Sequence, residues 1–133
     1  MMQLNSYREN KAMYDNPTIQ QIQQDVRIAL ETVMGDSSAE MLDEMSSIFL
    51  EDAVPLIQQM KGGLATRNFD SIIIAAHTLK GSSATIGLDK FAQLCLAVEL
   101  SSKAQETNKL GPFIANLETE YSRVETALRH FLL

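Results

Sequence analysis

The spacing of apolar residues along the chain predicts five amphipathic helices. Apolar residues recur every three or four positions, a period typical of helices that bury one face. The first helix is predicted to begin near Thr18, because Thr18 and Gln21 have the spacing of a capping box, and to end at Gly35. Its apolar positions are Ile19, Ile22, Val26, Leu30 and Val33.

The second predicted helix begins near Ser37, where Glu40 three residues later forms another capping-box pattern. Pro55 lies inside this helix and is expected to kink it, because proline removes one backbone donor. The pair Gly62-Gly63 is expected to end or fray the helix. The predicted inward stripe consists of Met41, Met45, Ile48, Phe49, Asp52, Leu56 and Met60.

Three further helices are predicted over residues 69–86, over residues 89–105, and from Gly111-Pro112 onwards, with the proline in the first turn. Their predicted inward residues are Phe69, Ile72, Ile73, Ala76, Leu79, Ser83 and Ile86; Phe91, Leu94, Cys95 and Val98; and Ile114, Leu117, Tyr121, Val124, Leu128 and Phe131. Short connections favour antiparallel neighbours. We therefore predict an all-α fold, an antiparallel four-helix bundle over residues 18–133 with an additional N-terminal helix at its end or flank. Residues 1–17 are predicted to be a tail or a short helix.

Composition and charge narrow the class of protein. A chain of 133 residues fits one domain, and 45% hydrophobic residues can fill its core. The net charge of −6 argues against a nucleic-acid partner, which would require a basic patch. Cys95 is the single cysteine and fits a core position in a reducing compartment. No apolar run reaches the roughly 20 residues that span a bilayer, and the N-terminus lacks the apolar segment of a secretory signal. We expect a cytoplasmic monomer without membrane contact.

His77 lies at the centre of the third predicted helix, about 100° around the axis from the apolar position Ala76. The imidazole should therefore face solvent or the edge of the core. Asp70, Ile74, Gly81 and Ala84 fall on the same side of the helix. This side is the candidate functional surface.

The residues one turn beyond His77 suit a reactive imidazole. Gly81 leaves open space beside the ring at a cost of roughly 0.5–1 kcal/mol relative to alanine, although a close helix–helix contact would also explain it. Lys80 supplies a cation, and Ser82 adds a nearby hydroxyl. A neutral imidazole is a good nucleophile near pH 7. The sequence shows no carboxylate cluster or metal-ligand set beside His77, so metal and acid groups are expected to come from a partner.

The stretch AAHTLKGSSATIGLDKFAQLCLAVE resembles the pattern of the histidine-phosphotransfer family, A-H-x-L-K-G-S-[SA]-x-x-x-G followed by a helix that ends near Leu-Glu. This chain has Val98-Glu99 where Leu-Glu is usual. The upstream segment IFLEDAVPLIQQMKGGL also resembles the second helix of the family, including its internal proline. The resemblance covers roughly residues 19 to 131.

The resemblance implies that His77 carries a phosphoryl group between aspartates of response-regulator receiver domains, with a hybrid sensor histidine kinase as a further partner. It implies that Lys80 assists the phosphoryl group and that Gly81 permits docking. From their positions on the helix we expect Asp70, Ile74, Ser82 and Ala84 to form the docking patch, although a single exposed apolar residue such as Ile74 is also ordinary at a protein surface. The chain itself would bind no cofactor, while Mg²⁺ is expected on the receiver. We expect no kinase activity of its own, because the chain lacks a glycine-rich nucleotide motif. The alternative is a non-catalytic bundle that works by docking alone.

Overall fold

The structure is a computed structural model that describes residues 17–133. This part of the chain forms five helices and no strand: α1 (Ile19–Met34), α2 (Ala39–Thr66), α3 (Phe69–Thr85), α4 (Asp89–Lys103) and α5 (Thr107–Arg129). The predicted all-α class is confirmed. The prediction of a tail or short helix concerns residues that, apart from Pro17, lie outside the described part. None of the helices described here is long and apolar enough to cross a membrane.

Helices α2 to α5 form the bundle. α3 packs between α2 and α4, and α5 closes the ring against α4 and α2. Two residues join α2 to α3, and three residues form each of the next two connections. Connections of this length reverse the chain direction and produce antiparallel neighbours. Of the helix pairs in the described chain, α3 and α4 pack most extensively against each other.

Helix α1 covers a flank of the bundle and packs mainly against α5. It begins at the predicted cap, since Thr18 accepts a hydrogen bond from the Gln21 amide and the Gln21 side chain accepts one from the Thr18 amide. It ends at Gly35, which has a left-handed φ of 67°. The Gln23 side chain donates to the Ala127 carbonyl of α5 at 3.3 Å. The predicted N-terminal helix is therefore confirmed, with both of its ends.

The core of the bundle is apolar and closely follows the predicted faces of α3, α4 and α5. Cys95 lies in this core, and burial raises the pKa of its thiol to about 12. The thiol therefore stays protonated and acts as a small apolar residue. The largest fully buried side chains are Phe91, Leu30, Met60, Ile72, Leu79, Leu110, Leu117, Leu128, Val26, Val98, Val124 and Cys95.

The prediction for α2 was wrong at its start, its end and its buried face. Ser38, not Ser37, caps the helix by accepting from the Met41 amide at 3.2 Å. The helix continues through Pro55 and the glycine pair to Thr66. Its buried stripe lies about one residue away from the predicted one and comprises Leu42, Ser46, Phe49, Leu50, Ala53, Ile57, Met60 and Gly63.

The glycine pair does not end α2 because one of its members is needed for packing. A side chain at Gly63 would place its Cβ 2.6 Å from Ile72 Cγ1 on α3 and 3.0 Å from the Asn68 carbonyl oxygen. Gly63 therefore allows α2 and α3 to approach closely within a continuous helix.

The start predicted for α5 was also wrong. The helix begins at Thr107, so Pro112 lies in its second turn instead of its first. We attribute the earlier start to tertiary packing. Leu110 is fully buried in the bundle core, and its burial stabilises the helical turn that contains residues 107–110. The predicted inward residues of α5 are buried except Tyr121, which is half-buried.

Candidate functional site

His77 lies on the outer face of α3, as predicted. Its side chain is 67% exposed, whereas the preceding residue, Ala76, is fully buried. The start of α3 is fixed by Asn68, whose side chain accepts from the Ser71 amide at 3.1 Å. Because α3 is held between α2 and α4, its rotation about its own axis is fixed, and the imidazole is presented to solvent.

A buried carboxylate lies directly beneath the exposed ring. The side chain of Glu99 on α4 is only 5% exposed, and its Oε2 lies 3.2 Å from His77 Nδ1. Lys80 donates to Glu99 Oε1 at 2.7 Å, and Lys103 Nζ lies 3.1 Å from Glu99 Oε2. We call His77, Lys80, Glu99 and Lys103 the histidine cluster.

The ionisation of Glu99 fixes the tautomer of His77. Burial alone would raise the pKa of Glu99, but hydrogen bonds from Lys80, Lys103 and His77 outweigh it and lower the pKa to about 2. An ionised carboxylate can only accept hydrogen bonds, so Nδ1 of His77 must carry the proton that it donates to Glu99. In the neutral ring the free lone pair is then on Nε2, which is the nitrogen that can act as a nucleophile.

The other predicted site residues on α3 differ in how far they are exposed to solvent. Asp70, Gly81 and Ala84 are exposed, and Ile74 is 61% exposed. A Cβ added at Gly81 would meet nothing within 4 Å, so no close helix–helix contact explains this glycine. Ser82 is partly buried, and its hydroxyl donates to the Thr78 carbonyl at 3.1 Å.

Sequence reasoning gave no role to Glu99 and did not single out Lys103. The signal was present, because Glu99 interrupts the inward positions of α4 between Val98 and Ser102, both fully buried. A carboxylate in such a position requires cationic or hydrogen-bonding partners. Lys103 is four residues further on, at the spacing of an intrahelical ion pair.

The expectation that acid groups come from a partner therefore needs a correction, although a single carboxylate is not the carboxylate cluster whose absence was predicted. One carboxylate, Glu99, touches the imidazole and orients it. It does not create a metal site, and in residues 17–133 no group of three or more His, Cys, Asp or Glu side chains could hold a metal ion.

Comparison with known proteins shows the family to which the chain belongs. The family model described as Hpt domain matches residues 44–127, so the chain belongs to that family. The chain is 28% identical over 103 residues to histidine-containing phosphotransfer protein 2 of Arabidopsis thaliana. The aligned region covers 75% of this chain and 66% of that protein, so the match spans just under two thirds of the length of that relative. The chain is 25% identical over 104 residues to histidine-containing phosphotransfer protein 4 of the same plant, which covers 77% of this chain and 82% of that protein. No solved structure gives a significant match.

Proposed function

We propose that this chain is a phosphocarrier of a two-component phosphorelay, with His77 as the residue that receives and returns the phosphoryl group. Membership of the Hpt family supports a phosphotransfer role, and proteins of this family interact with receiver domains and kinases in phosphorelays. The observation that carries the assignment to His77 is its ring geometry. Nδ1 is held by buried Glu99, while the side chain remains 67% exposed.

The chemistry requires little from the bundle beyond this nucleophile and its electrostatic surroundings. The lone pair of Nε2 attacks the phosphorus of an aspartyl phosphate on a receiver domain. The bond between phosphorus and the aspartate oxygen breaks, and the carboxylate leaves with the electron pair. Nδ1 keeps its proton, which remains hydrogen-bonded to the ionised Glu99 throughout, so no proton transfer is needed. The reverse reaction delivers the group to a second aspartate.

The exposed face of α3 provides the surface on which a receiver would dock. Ile74 supplies an apolar contact next to His77, and the bare backbone at Gly81 leaves room for a partner chain. Asp70, Ser82 and Ala84 extend this docking patch along the helix. The receiver would contribute Mg²⁺ and the acidic residues that hold it, while this chain would bind no cofactor and would not phosphorylate itself. We also propose that it acts as a monomer in the cytoplasm.

Transfer of label from a phosphorylated receiver tests the proposal. A receiver domain loaded with labelled phosphate by acetyl phosphate should label the wild type, and the label should be lost in acid, as expected of a phosphoramidate. The variant His77→Gln should not be labelled. His130→Gln is the matched control, because His130 is an exposed histidine just beyond the end of α5, and it should be labelled normally. Labelling of His77→Gln would overturn the assignment.

The same proteins separate a relay from docking without transfer. The exposed apolar side chain of Ile74 is the observation that favours a docking function. If docking alone were the function, His77→Gln would preserve both receiver binding and the biological output, and Ile74→Asp would abolish binding. If the relay is correct, both variants should lose the output, but only Ile74→Asp should weaken binding of the receiver.

A further inference from the structure

Two lysines share one buried carboxylate in the histidine cluster, and they do so unequally. Lys80 occupies Oε1 of Glu99, whereas Lys103 and the His77 imidazole both lie on Oε2. The distances from Oε2 are 3.2 Å to His77 Nδ1 and 3.1 Å to Lys103 Nζ, so these two nitrogens are at most about 6.3 Å apart. Lys103 therefore lies near the reactive ring, a position for which the sequence motif suggested only Lys80.

The cluster has more positive charge than the carboxylate needs. One cation neutralises a buried Glu99, and Lys80, which is only 28% exposed, already does so at 2.7 Å. Lys103 is 55% exposed, and an ion pair at this exposure adds little stability. A second ammonium group on the carboxylate that holds Nδ1 is therefore poorly explained by folding alone, but it suits a site that receives an anionic group.

We propose that Lys103, together with Lys80, binds the phosphoryl group carried on His77, and that Glu99 holds both ammonium groups in place while the imidazole is free. This inference rests on the proposed function. When the bond between Nε2 and phosphorus forms, the phosphoryl oxygens become a stronger anion than the shared carboxylate. The flexible Lys103 side chain then turns from Oε2 of Glu99 to a phosphoryl oxygen, while Nδ1 remains on Oε2.

The decisive measurement is the equilibrium distribution of the phosphoryl group between His77 and a receiver aspartate. A residue that only positions the ring or assists docking changes the forward and reverse rates equally and leaves this equilibrium unchanged. A residue that binds the phosphoryl group on His77 shifts the equilibrium toward this chain. The label at equilibrium is therefore measured with a receiver phosphorylated by acetyl phosphate and then freed of donor.

Four variants complete the design. Lys103→Gln and Lys80→Gln should each shift the distribution toward the receiver by roughly tenfold or more, as expected for loss of one charge-assisted hydrogen bond. Lys103→Arg keeps the charge and should restore most of the wild-type distribution. The matched control is Lys61→Gln, since Lys61 is a half-exposed lysine that pairs with Glu118 at 3.1 Å on a different face. It should leave the distribution unchanged.

The outcomes distinguish this inference from the function on which it rests. A labelled wild type, an unlabelled His77→Gln, and a Lys103→Gln variant with the wild-type distribution would overturn the role of Lys103 alone. A wild type that no receiver labels would overturn both proposals. A thermal melt of each variant checks that it is folded, and Lys103→Ala, which also removes the charge and should shift the distribution in the same direction, replaces Lys103→Gln if that variant fails to fold.

Discussion

Two glycines in the described chain differ in whether the fold requires them. Gly87 has a φ of 81°, and a Cβ there would lie 2.6 Å from the Asp25 carbonyl oxygen, so folding itself requires glycine. At Gly81 the helix is regular and the space is empty. The fold therefore gains nothing from Gly81, although glycine in a helix interior lowers stability relative to alanine. We attribute this loss of stability to the space that a docking partner requires.

Substitution of Gly81 should consequently change stability and transfer in opposite directions. Gly81→Ala should raise the free energy of unfolding by about 0.5–1 kcal/mol, measured by urea denaturation. Gly81→Leu should also be stabilising but should slow transfer from a phosphorylated receiver by about tenfold or more, because the side chain occupies the docking surface. The control is Gly62→Leu, at a helical glycine with empty space near the end of α2. Wild-type transfer rates in Gly81→Leu would contradict the docking role.

The lowered pKa of Glu99 leads to a second prediction for a single residue, which concerns how the free energy of unfolding depends on pH. Its pKa is about 2 in the folded chain against an ordinary value of 4.5, so between these limits the unfolded chain binds the proton more tightly. The stabilisation is complete above pH 4.5 and is lost as the pH falls toward 2. At about 1.4 kcal/mol per pKa unit, its size is about 3 kcal/mol.

Denaturant melts of wild type and Glu99→Gln between pH 2 and pH 6 check this prediction. The difference in unfolding free energy should be small near pH 2 and should grow until about pH 4.5. Glu118→Gln provides the control, because its exposed ion pair with Lys61 contributes about 0–1 kcal/mol. A difference between wild type and Glu99→Gln that stays constant over this range would show that Glu99 is not the group responsible.

Helix ends were predictable where local chemistry determines them and not where packing does. Thr18 with Gln21, and Gly35, determine the ends of α1 through contacts within a few residues. The pair Gly62-Gly63 predicted an end or fray of α2, and Pro112 predicted the first turn of α5. Yet α2 continues past the glycines and α5 begins before the proline, because neighbouring residues on the bundle side are buried. Tertiary burial of whole turns outweighs a single unfavourable residue.

The start of α2 offers a sharp test of capping. Ser37 and Ser38 are adjacent, but only Ser38 accepts a hydrogen bond from a helix amide, whereas the Ser37 hydroxyl donates to Glu31 at 3.0 Å. Ser38→Ala should lower the free energy of unfolding by about 1 kcal/mol, because it leaves the Met41 amide without its partner. Ser37→Ala should change it by less than about 0.5 kcal/mol. Equal losses in thermal or urea melts would show that the cap is shared.

On the scale of the whole molecule, the sequence was sufficient for the bundle and for the exposed position of His77, since both follow from helical periodicity. It was insufficient for the histidine cluster. Glu99 is 22 residues from His77, and only the packing of α4 on α3 reveals that the two side chains touch. Sequence spacing orders residues along one helix, whereas the register between two helices depends on side chains that interdigitate across their interface.

The family match begins at residue 44 and thus leaves α1 outside, which raises the question of whether α1 belongs to the folding unit. Packing indicates that it does. Leu30 is fully buried, and the tight turn at Gly87 between α3 and α4 abuts the α1 backbone at Asp25. Leu30→Ala should therefore cost about 2–5 kcal/mol in a single cooperative transition of the whole chain.

Ile28→Ala is the matched control on the same helix, because Ile28 is 54% exposed and its truncation should cost less than about 1 kcal/mol. Thermal unfolding of both variants is followed by circular dichroism. The labelled-receiver assay, run at a temperature where each variant remains folded, should show unchanged phosphotransfer, because α1 lies away from the histidine cluster. Two separate unfolding transitions in Leu30→Ala, with the main one at the wild-type midpoint, would mean instead that α1 folds onto an independently stable bundle. A single transition with a lowered midpoint would make α1 part of the scaffold that holds α3 and α4 in register, and through them the contact between Glu99 and His77.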